Sequence, residues 1–80
     1  MTAPARAIER LRWQSRRGLL ELDIVLERFW ARTAALEDKD ARALERLLGM
    51  TDNDLLDCVM GRAEAPEAQL APMVEKLRAA

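Results

Sequence analysis

The chain has 80 residues, half of them apolar and 34% charged, with 13 basic and 14 acidic side chains that leave a formal net charge of −1. That apolar content is enough for one hydrophobic core and too little for two, and the balanced charge argues against a molecule-wide surface for nucleic acid or anionic lipid. The lack of histidine and the single cysteine, Cys58, remove the usual ligand sets for zinc, an intramolecular disulfide and histidine-based acid/base catalysis.

Apolar residues recur at helical spacing throughout, and nothing alternates with period two over a useful length, so an all-α bundle of five short helices in a single domain over residues 1–80 is expected. Pro4 can open the first helix, in which Ile8, Leu11 and Ser15 share a face. Gly18 interrupts the pattern and suits either the end of that helix or the cap of the next. The second helix carries the strongest stripe, Leu19, Leu22, Val25, Leu26, Phe29 and Thr33, and should be the central core element. Glu37, Asp38 and Asp40 sit where they favour the N-terminus of a third helix, whose stripe of Leu44, Leu47 and Leu48 is ended by Gly49. Thr51 with Asp54 resembles a capping box, with Asp52 as the rival cap, ahead of Leu55, Leu56, Val59 and Met60, and Gly61 closes that segment. A linker around Ala65 and Pro66 leads to Leu70, Met73, Val74 and Leu77. Pro72 is tolerated only in a first turn, so the last helix begins near Ala71 or follows an offset turn.

Two surfaces stand out around the first junction. Projected on the second helix, Arg17, Glu21, Ile24 and Arg28 form a stripe turned from the core, with Arg17 and Glu21 four apart and able to pair; it is either an ordinary solvated face or a partner surface in which Ile24 is the apolar element. Asp23 falls on another face and could fix the junction. On the first helix Arg6, Arg10, Trp13 and Arg17 project together, so that Trp13 is either a binding residue within a basic stripe or a ring that covers the bundle from the side or stacks beneath an arginine. No second aromatic and no recognition-helix signature accompany the stripe, which disfavours nucleic acid. Cys58 reads as a small buried hydrophobe, Met50, Met60 and Met73 as core filler, and the acidic cluster as a helix cap rather than a cation site.

The string Ser15, Arg16, Arg17, Gly18, Leu19, Leu20, Glu21, Leu22, Asp23 resembles the RGxxExD signature of the succinate dehydrogenase assembly factor family, the small flavinylation factors of bacteria and mitochondria. Trp13 stands where that family usually has an aromatic, and Leu47, Leu48, Asp52, Asp54, Leu55, Met60 and Gly61 follow the family's order and spacing. The resemblance implies a five-helix bundle that binds the flavoprotein subunit of succinate dehydrogenase or fumarate reductase and promotes covalent attachment of FAD to a histidine of that subunit. It binds no cofactor stably itself. Carried over by position, Arg17, Gly18 and Glu21 form the contact motif with Asp23 as support; Trp13 and Arg10 extend the partner-binding set, and no catalytic or metal residue is expected. The sequence departs from the family at Cys58, often tryptophan there, and at Asn53, often proline. No apolar run has bilayer length, and the segment before the first helix is too short for a transit peptide, so a cytoplasmic, bacterial-type monomer without membrane insertion is implied. A helical adaptor unrelated to flavin is the alternative reading, and flavin transfer is what separates the two.

Overall fold

The computed structural model describes all of residues 1–80. Five α-helices follow one another: α1 Ala5–Gln14, α2 Leu20–Ala31, α3 Asp38–Leu48, α4 Asp52–Val59 and α5 Ala71–Arg78, the last preceded by a single 3-10 turn at Ala68–Leu70. The boundaries follow local chemistry. Pro4 takes the N-cap of α1 in extended conformation, where its missing N–H costs no hydrogen bond. The Thr51 hydroxyl accepts from the Asp54 amide at 3.2 Å, which makes Thr51 the cap of α4 and puts its rival Asp52 in the first helical position. Pro72 lies in the first turn of α5, so both features anticipated for this segment occur: the helix begins at Ala71 and a short turn precedes it.

The helices close on one core. Leu22, Leu44, Leu47 and Leu55 are completely buried, and Leu11, Leu26, Met73 and Leu77 nearly so. Each such side chain contributes about 1.5–3 kcal/mol on burial. α1 lies against α3, and α2 lies against α4 and α5. The N-terminal residues are tied into this arrangement by backbone pairing: the Ala3 amide donates to Leu36 O at 2.7 Å, and the Asp38 amide, one of the unsatisfied donors at the start of α3, donates to Met1 O at 2.8 Å.

Several expectations change. Met60 is half exposed, because α4 ends at Val59 and Met60 is its C-cap; Met50 is only partly buried, and of the three methionines named as core filler Met73 alone is fully enclosed. Thr33 lies beyond the end of α2, and the C-terminal part of that helix buries Trp30 beside Phe29, the two rings meeting edge to face at 5.2 Å. Gly49 ends α3 with φ −77, an angle open to any residue, whereas Gly61 closes α4 with φ +80. Cys58 is buried, its thiol 3.4 Å from Glu64 O.

Candidate functional site

Residues 15–19 join α1 to α2 without being helical themselves, and each is fixed by a different interaction. Ser15, the C-cap of α1, donates its hydroxyl proton to Leu11 O at 2.8 Å and accepts from Trp30 Nε1 at 2.9 Å, so both buried polar atoms are satisfied across the α1–α2 contact. Arg17 reaches inward. Its guanidinium donates to Asp52 Oδ1 at 2.7 Å, to Met50 O at 2.6 Å and to Leu48 O, and its side chain is only 13% exposed. Leu48 is the last residue of α3 and Asp52 the first of α4, so one planar cation satisfies carbonyls at and just beyond the end of α3 while pairing with the carboxylate that opens α4.

The backbone of the same segment is held from the other side. The amides of Arg17 and Gly18 donate to the two carboxylate oxygens of Asp23 at 2.9 and 3.1 Å, so Asp23, in the first turn and a half of α2, folds back over the connection. Gly18 has φ +82, which other residues adopt only with strain, and a Cβ built on it would meet nothing within 4 Å. The backbone angle of this residue therefore favours glycine, and the space in front of it is open.

Beyond this fastening, the motif presents one charged side chain to solvent. Glu21 is exposed and forms no hydrogen bond or ion pair within the chain. Leu20, at 73% exposure, and Ile24, at 38%, flank it on α2. Trp13, at the end of α1, is 71% exposed, with the Arg16 guanidinium 5.8 Å from its ring centre. The ring is on the surface, so it does not cover the bundle from the side, and it lies beneath an arginine. Arg10 forms an exposed ion pair with Glu45 at 3.1 Å, a contact of small energetic weight.

The main correction concerns Arg17. It does not share a solvated helix face with Glu21 and does not pair with it; it precedes α2, points into the bundle and pairs with Asp52. The same break removes it from the α1 stripe of Arg6, Arg10 and Trp13. Asp23, by contrast, does fix the junction. Two roles were not anticipated from the sequence: that of Asp52 as the partner of Arg17, a pairing across 35 positions that leaves no local signal, and that of Leu20 as an exposed apolar side chain, which stood outside the core stripe and could have been picked up by the reasoning applied to Ile24. No helix is long and apolar enough to cross a membrane.

Residues 9–80 match the family model described as flavinator of succinate dehydrogenase. The chain is 48% identical over 66 residues to the FAD assembly factor SdhE of Ralstonia nicotianae, covering 81% of this chain and 70% of that protein. It is 41% identical over 71 residues to the FAD assembly factor SdhE of Pseudomonas savastanoi pv. phaseolicola (88% and 84% covered) and 39% identical over 72 residues to that of Shewanella oneidensis (89% and 88% covered). No solved structure matches.

Proposed function

The chain belongs to the family of flavinators of succinate dehydrogenase, and from that premise we propose that it is an FAD assembly factor that docks on the flavoprotein subunit of succinate dehydrogenase and promotes covalent attachment of FAD to it. Fumarate reductase, whose flavoprotein subunit is of the same type, is a second client in this reading. The chain contains no histidine, so a histidyl ligand for the flavin comes from the client. The factor acts by holding that client in the conformation in which bound FAD and the receiving side chain are aligned, a proximity effect that needs no catalytic residue of its own. It works as a cytoplasmic monomer and keeps no cofactor.

The observation that carries this reading is the division of labour within the motif. Arg17 and Asp23 are consumed in fixing the connection, which leaves Glu21, framed by Leu20 and Ile24 and set beside the open space at Gly18, on a surface whose geometry is already determined. A contact surface fixed before binding loses little conformational entropy on association. Trp13 adds an exposed aromatic at one edge and Arg10 a charged rim. In this reading Arg17 and Asp23 are positioning residues, and Glu21, Gly18, Leu20, Ile24, Trp13 and Arg10 meet the client.

The test is complementation. In cells stripped of their own factor, expression of the chain restores covalent flavin on the flavoprotein subunit, read as in-gel fluorescence after denaturation. Equal fluorescence with and without the chain refutes the assignment.

A further inference from the structure

Between α1 and α2 runs a shallow open groove whose wall carries Arg6, Arg12, Trp13 and Arg16 from the α1 side and Trp30 from α2. Arg6, Arg12 and Arg16 are exposed, and none forms an ion pair within the chain. Two of them are supported by rings: the Arg12 guanidinium lies 5.3 Å from the Trp30 centre and that of Arg16 5.8 Å from the Trp13 centre. A guanidinium lying against a ring keeps N–H groups at its edge free for a carboxylate while losing little rotamer freedom on binding. The other charged residues of the wall are Glu9, Arg10, Asp23 and Glu27. Asp23 is occupied by two amides and Arg10 by Glu45, which leaves Glu9 and Glu27 facing the three unpaired arginines and a residual positive charge along the groove.

We infer that this groove binds an extended acidic peptide segment of the protein partner, a contact continuous with the Glu21 surface through Gly18, Trp13 and Arg10, which line it; the inference rests on the reading that the chain docks on a protein. Charge complementarity selects the occupant. Arg6 and Arg12 lie about 9 Å apart along α1 at roughly 1.5 Å per helical residue, and Arg16 follows just beyond the end of the helix. An extended peptide covers the distance from Arg6 to Arg12 with about three residues and reaches Arg16 with those that follow, so its carboxylates can meet successive arginines. A lone phosphate or pyrophosphate engages only one or two of them and leaves the length of the groove unused.

The experiment is an NMR titration of the full chain with hexaglutamate, with hexalysine and inorganic pyrophosphate as comparison probes. Hexaglutamate is expected to shift the Trp13 indole N–H and the Nε–H signals of Arg12 and Arg16. In Arg12→Gln/Arg16→Gln its affinity should fall at least about ten-fold, as loss of two charged contacts implies. Because Arg12 also supports Trp30, the single Arg16→Gln variant, altered only on the exposed side of the groove, should show an intermediate loss with an unchanged thermal transition. Hexalysine should shift nothing there. Absence of hexaglutamate shifts at the groove, shifts that persist at full affinity in the double variant, or equal affinity for pyrophosphate would each overturn the inference. The titration uses no flavoprotein, so its failure is distinct from failure of the flavinylation assay.

Discussion

Replacing Arg17 by alanine tests whether this motif residue is a structural clamp. The substitution removes the hydrogen bonds to Leu48 O and Met50 O and the pair with Asp52. Hydrogen bonds from a charged donor contribute about 1.5–3 kcal/mol each where desolvated. Here the sum is smaller: the Asp52 side chain is 40% exposed, so the ion pair itself contributes at most about 1 kcal/mol, and water can reach carbonyls uncovered near the surface. A loss of about 2–3 kcal/mol follows. For a domain of this size each kcal/mol lowers the midpoint by about 4–8 °C, so the thermal transition should fall by roughly 10–20 °C. Circular dichroism at 222 nm, with urea unfolding in parallel, gives the number. Arg17→Lys, which keeps the charge but not the planar fork, should fall between wild type and alanine. A change below about 0.5 kcal/mol for Arg17→Ala would show that the guanidinium is not holding the α3–α4 turn.

Three further outcomes follow from the same geometry. Gly18→Ala should cost about 1 kcal/mol in unfolding because φ is +82, with no added steric penalty, since the new methyl group meets nothing within 4 Å; an unchanged urea midpoint would contradict the left-handed assignment. Asp23→Ala strips two backbone amides of their acceptor and should lose about 1–2 kcal/mol, with faster hydrogen exchange at Arg17 and Gly18; protected amides in the variant would contradict it. Trp13→Ala, at a ring that is 71% exposed, should change stability by less than about 1 kcal/mol while weakening association with the flavoprotein subunit; a loss of about 3–5 kcal/mol, the range for a core aromatic, would place the ring in the interior.

How far the sequence could be read depended on the range of the interactions involved. The stripes through Leu22 and Leu26, Leu44 and Leu47, and Leu55 and Val59 named most of the core, because a helix only about two or three turns long has to bury the face on which such residues recur. Thr51 and Pro72 were equally readable, since a cap or a first-turn proline acts on its immediate neighbours. Arg17 was misread because the projection of α2 was extended back to a residue that precedes the helix, and because its partners, Leu48, Met50 and Asp52, lie more than thirty positions away. Trp30 and Ser15, fifteen positions apart, were missed as a pair for the same reason. Ala3 and Leu36 are buried by the backbone pairing of the N-terminal residues with the start of α3, a contact that no side-chain period announces. The residues that carry the resemblance do lie at the α1–α2 connection, as expected. What periodicity could not supply was the split between side chains that build the junction and those left on its surface.

That split is the central claim, and Glu21→Ala tests it most directly, because Glu21 is the motif side chain that makes no contact within the chain. Covalent flavin on the flavoprotein subunit, measured by in-gel fluorescence in cells whose own factor is replaced by the variant, should fall to the level seen without the factor. The purified variant should melt within about 0.5 kcal/mol of wild type, as an exposed, unpaired surface residue implies. Full flavinylation by a stably folded Glu21→Ala chain would contradict the account.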